Sequence, residues 1–216
     1  MMQNLTPVVK NLLIINVLMY FGTLWMGEPT LPGVINELSE WGRLSLAAFY
    51  PGSEFFRPYQ IVTYMFMHAN IGHLFFNMFA LYMFGPPSEH VWGPQKFLFY
   101  YFVTGLGALV VHFLVKYIEL NYMGGSSMSM HVPVLGASGS VFGILLAFGM
   151  LFPEARVMLL IPPIPIKARL MVIIYAALEL FLGLGNFESG VAHFAHLGGA
   201  LTGFLLILYW QGFRLR

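Results

Sequence analysis

The chain contains no cysteine and no aspartate. The first absence excludes disulfides, thiolate chemistry, cysteine-based metal sites and prenylation. The second excludes a Ser-His-Asp triad. Charge is scarce as well: 9% of the 216 residues are Asp, Glu, Lys or Arg, against about 25% in a water-soluble domain. With 58% hydrophobic residues and a mean hydropathy of +0.76, so few charges cannot cover a soluble surface. The sequence is that of an all-α, polytopic membrane protein. A net charge of +1 gives no argument for nucleic acid as a partner. No internal repeat is visible, and one compact domain over residues 1–216 is expected.

What the chain does have is six apolar runs, each near the roughly 20 residues that a span needs. They cover residues 8–27, 61–84, 97–117, 134–152, 169–185 and 191–210. Lys10 precedes the first run, but no small-residue cleavage site follows it. That run is expected to be a retained span rather than a signal peptide. With six spans, Lys10, Lys96, Arg156, Lys167, Arg169, Arg214 and Arg216 share the side of the termini. Arg43, Arg57 and Lys116 fall on the other side. The bias of basic residues predicts that both termini are cytoplasmic. Residues 28–60 form a long outer loop in which Trp41, Leu44, Phe49 and Phe55 alternate with Glu37, Glu40, Arg43 and Glu54. This mix reads as short amphipathic helices in the membrane interface, or as an apolar anchor with no catalytic part. Pro86-Pro87 is expected to stop the second span, and Pro162, Pro163 and Pro165 to break the chain between the fourth and fifth.

Two polar residues stand where chemistry is least expected. Ser138, in Gly136-Ala137-Ser138-Gly139, lies about four residues into the fourth run, ~6 Å below the outer face at about 1.5 Å per residue. His196 lies about five residues into the sixth run, ~7–8 Å below the same face. A serine hydroxyl is a poor nucleophile without a base in hydrogen-bond reach. At this depth the candidate bases are His196, His193, His73 and His68. A dyad is the serine arrangement left, unless Glu179 in the fifth run serves as a third member. The Gly-x-Ser-x-Gly elbow of soluble hydrolases is absent, because residue 140 is serine. Gly139 with Gly143, and Gly199 with Gly203, are small residues four apart that let two membrane helices approach closely. This spacing would bring Ser138 to His196; it equally fits plain glycine packing with an incidental serine. His73 and Asn77 are i, i+4 on one face of the second run and could donate to an oxyanion, with the Ser138 amide as a third donor. They could also be an inter-helix hydrogen-bonding pair.

His73-Leu74-Phe75-Phe76-Asn77, Gly136-Ala137-Ser138-Gly139 and Ala195-His196-Leu197-Gly198-Gly199, with Gly203 behind, together resemble the rhomboid intramembrane serine proteases. The resemblance is clearest from Pro58 to Gly203. It implies a bacterial-type, six-transmembrane-helix rhomboid-like bundle with a membrane-embedded outer loop between helices 1 and 2. It implies Ser138 as nucleophile, His196 as general base and later acid, and His73 and Asn77 at the oxyanion. Gly136, Gly139 and Gly199 would support the site. Phe142 falls where many relatives carry a tyrosine that stacks on the catalytic histidine; it keeps the face and lacks the hydroxyl. His68 falls where relatives often have a second histidine. Tyr59-Gln60 stands where a Trp-Arg pair is common, a change expected to have little catalytic consequence.

The expected activity is therefore an intramembrane serine endopeptidase that cleaves transmembrane protein substrates near the outer face. The alternative is a catalytically silent rhomboid-like binder of membrane proteins. No cofactor and no metal are expected: His193 and His196 are three apart, but zinc usually takes three or four ligands. His193 is expected in a water-filled mouth, and Glu179 near mid-membrane outside the catalytic set. The expected partners are transmembrane substrates and the lipid bilayer. The expected location is a bacterial plasma (inner) membrane, since the termini carry neither a soluble domain nor a transit peptide.

Overall fold

The computed structural model describes residues 5–26, 44–158, 163–185 and 192–212. Seven α-helices are found among them: α1 Pro7–Thr23, the short α2 Gln60–Thr63, α3 Ile71–Trp92, α4 Pro94–Tyr122, α5 Ser138–Leu151, α6 Ala168–Gly185 and α7 His193–Trp210. A two-stranded antiparallel hairpin, β1 Arg156–Met158 with β2 Pro165–Lys167, joins α5 to α6. Much of the outward surface is apolar, with Phe75, Phe76, Ile173, Phe181 and Leu184 each more than half exposed, as a lipid-facing surface requires. Among the described residues, four helical segments are long and apolar enough to cross a membrane: Pro7–Met26, Pro94–Tyr122, Ala168–Gly185 and His193–Trp210. The protein is an integral membrane protein of all-α architecture.

The interior is organised around α4, α5 and α7. An added Cβ at Gly143 would lie 2.7 Å from Thr104 of α4. One at Gly199 would overlap the Gly139 carbonyl of α5. Tyr100 Oη donates to the Gly143 carbonyl (2.8 Å) and Ser140 Oγ to the Tyr101 carbonyl (2.8 Å), which fixes α5 against α4. At the opposite end from the serine, Lys96 Nζ lies 4.0 Å above the Trp210 ring. Trp92 and Tyr100 pack on the same ring, forming an aromatic cluster at the basic end of the bundle.

Two expectations about the second span are corrected. The helix starts at Ile71 rather than near residue 61, because α2 and a 3₁₀ turn at Tyr64–Phe66 precede it. It also runs through Pro86-Pro87 to Trp92. Each proline removes one ladder donor. Just past them, Ser88 Oγ donates to the Phe84 carbonyl (3.2 Å) and the His90 ring bonds the Pro86 carbonyl (2.7 Å). Its end is then tied to α1 by buried Glu89, which accepts from the Thr6 hydroxyl and from the amides of Val8 (3.0 Å) and Val9 (2.9 Å). A carboxylate at a helix N-terminus satisfies free amides and complements the helix dipole.

The fourth run is helical only from Ser138 onward. Val134 instead forms an antiparallel bridge with Ala48 of the outer loop, and the Gly136 amide donates to the Tyr64 carbonyl (2.9 Å). Gly136 then adopts φ +131°, a backbone setting that favours glycine, and turns the chain into α5. Residues 28–43 of the outer loop lie outside the described residues. The remainder, from Leu44, is held by Gln60, whose side chain is fully buried. Gln60 Nε2 donates to the carbonyls of Ser45 (2.9 Å) and Phe55 (3.1 Å), and Oε1 accepts from the Arg57 amide (2.9 Å).

Candidate active site

Three helix N-termini, those of α3, α5 and α7, open onto one cavity of about 790 Å³. His73, Gly136, Ser138, Gly139 and His196 are among its lining residues. The first amides of a helix have no intrahelical partner and carry the positive end of its dipole. Three such ends around one space favour a ligand or intermediate with negative charge.

Each candidate side chain is set by local sequence. Asn70 caps α3, its Oδ1 accepting from the His73 amide at 2.9 Å, so His73 falls in the first turn. The Ala69 amide donates to His73 Nδ1 (3.3 Å), so in the neutral ring Nε2 carries the proton. A Cβ added at Gly136 would lie 3.0 Å from that Nε2 and 3.4 Å from Ser138 Oγ. The His73 ring and the serine hydroxyl therefore flank one small space that only glycine leaves open.

Ser138 is the first residue of α5. Its Oγ lies 2.8 Å from His196 Nε2, in the first turn of α7. With the hydroxyl donating, the proton of the neutral imidazole sits on Nδ1. Phe142, one turn along α5, stacks on the His196 ring with centroids 4.5 Å apart and planes 5° apart. The ring is thus held between a stacking face and a hydrogen bond. Gly199 supplies the close α5–α7 approach that makes the contact possible.

The remaining candidates divide. Asn77 lies one turn beyond His73, outside the cavity lining, and its Nδ2 donates to the His73 carbonyl (2.9 Å). His68 is buried beside His73, ring edge to face with centroids 5.1 Å apart. His193 is also buried, rather than in a wet mouth, because its Nδ1 bonds Glu179 Oε2 at 2.7 Å. Glu179 is the residue whose place sequence reasoning underrated. Its other oxygen, Oε1, lies 3.1 Å from His196 Nδ1. The His193 contact has hydrogen-bond alignment; the His196 contact is close without full alignment. Glu179, His193 and His196 offer three donor atoms spread over up to 4.8 Å. That is wider than the ~3.3 Å edge of a tetrahedron with ~2.0 Å bonds. The arrangement is that of one carboxylate shared by two imidazoles.

A serine hydroxyl in hydrogen-bond contact with an imidazole, beside converging N–H donors, is an arrangement that suits attack on a carbonyl with charge building on its oxygen. The Rhomboid domain family model matches residues 56–212, and the chain belongs to the rhomboid family. It is 33% identical to Rhomboid protein 1, mitochondrial, of Saccharomyces cerevisiae, over 67% of this chain and 40% of the relative. It is 32% identical to Rhomboid protease AarA of Providencia stuartii, over 66% of this chain and 52% of the relative. It is 34% identical to Rhomboid-like protein 11, chloroplastic, of Arabidopsis thaliana, over 69% of this chain and 51% of the relative. The matched part thus spans about half or less of these relatives' own length. Their names include mitochondrial, chloroplastic and bacterial proteins, so they lend no support to a bacterial plasma membrane in particular.

Proposed function

We propose that this protein is an intramembrane serine endopeptidase acting on transmembrane protein substrates. The observation that carries the reading is the 2.8 Å contact between Ser138 Oγ and His196 Nε2, at the floor of a cavity ringed by helix N-termini. Ser138 Oγ attacks the scissile carbonyl while its proton passes to His196 Nε2. The oxyanion forms beside His73 Nε2–H and the free amides at the start of α5. His196 then gives the proton to the departing amine, leaving an ester on Ser138. Water attacks that ester with His196 again as base, releasing the acid and restoring the serine. Asn77, whose Nδ2 donates to the His73 carbonyl at rest, joins the oxyanion donors by a rotation of its side chain away from that carbonyl. Gly136 keeps the space beside Ser138 clear, and Phe142 holds the base flat.

We read residues 1–216 as one domain with six spans and cytoplasmic termini, in which the 14-residue α5 crosses with help from the extended residues before it. Substrates are helices that unwind near the outer face, since an intact helix hides its carbonyls in hydrogen bonds. The chemistry described needs neither cofactor nor metal. The test is cleavage of a panel of single-span membrane proteins in proteoliposomes. Wild type cuts at least one of them, and Ser138→Ala and His196→Ala cut none. Equal cleavage by wild type and Ser138→Ala removes the proposal.

A further inference from the structure

We infer that Glu179, anchored by His193, is the positioning residue that fixes His196 in the tautomer able to accept the Ser138 proton. The chemistry is a matter of where one proton sits. His196 Nε2 faces Ser138 Oγ at 2.8 Å and must present a lone pair to act as a base. The ring proton must then sit on Nδ1, where it needs an acceptor. Glu179 Oε1 stands there at 3.1 Å.

The placement is built in from three directions. His193 takes the second oxygen, Oε2, at 2.7 Å with good alignment. This fixes the carboxylate plane and leaves Oε1 to His196. His193 and His196 are three apart in the first turn of α7, so both Nδ1 atoms reach one carboxylate from one face of the helix. On α6, Gly183 lies one turn from Glu179, and a Cβ there would lie 3.2 Å from both His193 and Phe194. Gly183 therefore lets α6 come close enough for Glu179 to meet both rings. Glu179 is also the sole acidic residue of α6, on a helix whose other residues are almost all apolar. A carboxylate at that depth is costly unless its partners hold it. Its partners here are the base of the site and that base's neighbour on α7.

The catalytic consequence rests on the hydrolase reading above; the tautomer does not. The test uses full-length protein labelled with ¹⁵N-histidine in detergent, at alkaline pH where imidazole is neutral. The His196 resonances are assigned by their loss in His196→Ala. Wild type shows His196 with Nδ1–H dominant. Glu179→Gln loses that dominance and lowers kcat by on the order of 10- to 1000-fold, with KM within about twofold. The upper bound stays short of the roughly 10⁴ known for a fully aligned carboxylate partner. Glu179→Asp restores part of both. His193→Gln, which keeps the carboxylate but frees it, gives an intermediate tautomer ratio and an intermediate kcat. An unchanged His196 tautomer in both Glu179→Gln and His193→Gln overturns the inference, as does a kcat within twofold of wild type in Glu179→Gln. If wild type cleaves nothing yet Glu179→Gln still moves the tautomer, the positioning role stands and the hydrolase reading falls.

Discussion

Alanine at Gly199 places one methyl group between two backbones. An added Cβ there overlaps the Gly139 carbonyl oxygen of α5, and a carbonyl cannot rotate away as a side chain would. Overpacking typically costs ~1–3 kcal/mol, and a rigid backbone neighbour puts this site at the upper end. Alanine returns about 1 kcal/mol through helix propensity. The expected net loss is about 2 kcal/mol. The effect on activity is larger than that figure suggests. Relief requires α7 to move from α5 by about 1 Å, which stretches the 2.8 Å contact between Ser138 and His196 beyond hydrogen-bond range. A misplacement of about 1 Å can cost on the order of 100-fold in rate. The control is Gly22→Ala in α1, where an added Cβ meets nothing within 4 Å. That variant gains up to about 1 kcal/mol from propensity. Both are read by thermal unfolding in detergent and by cleavage of the substrate found for wild type. If Gly199→Ala matches Gly22→Ala in stability and cleavage, the close α5–α7 approach does not hold the pair together.

The remaining predictions concern the outer loop and the basic end. Gln60→Ala leaves the carbonyls of Ser45 and Phe55 and the Arg57 amide without this side chain. At roughly 1–3 kcal/mol per buried group left unpaired, it lowers stability by at least about 2 kcal/mol, and a melting temperature equal to wild type refutes the assignment. Glu154 bonds Lys167 (2.7 Å) and faces Arg169 (2.9 Å). The Lys167 hydrogen bond leads the causes that hold its carboxyl below the usual carboxylate range. Its contribution is present above the unfolded-state pKa and is lost as pH falls through the depressed folded value. Glu154→Gln therefore narrows the stability gap to wild type as pH falls into the acid range. A gap that stays constant from neutral to acid pH contradicts this.

The central pairing was legible because it depends on residue types that only a few arrangements tolerate. A serine, two histidines and paired glycines in apolar runs limit how three helices can meet, and the structure brings Ser138, His196 and His73 to one cavity. Their place at the very start of the helices was not legible. It depends on the Val134–Ala48 bridge and the Tyr64 carbonyl, contacts made across more than 70 residues of chain. Pro86-Pro87 misled because each proline takes away only one ladder donor, and the far end of α3 is tied to α1 through Glu89, a contact distant in sequence. Gln60 was read only for its catalytic consequence, and its structural part, an amide that ties together a loop with little regular structure, depends on partners up to 15 residues away. Glu179 was legible as an unusual carboxylate, but its reach to His196 depends on the approach of α6 that Gly183 allows.

The most direct measurement is covalent capture of the nucleophile. A fluorophosphonate probe reacts with a serine hydroxyl only where a base activates it, and peptide mass spectrometry reports which serine was modified. Full-length protein in detergent is predicted to carry the adduct on Ser138, to lose it in Ser138→Ala, and to lose nearly all of it in His196→Ala. Labelling of Ser138→Ala at the wild-type level, or no adduct on Ser138 in folded wild type, would contradict the account.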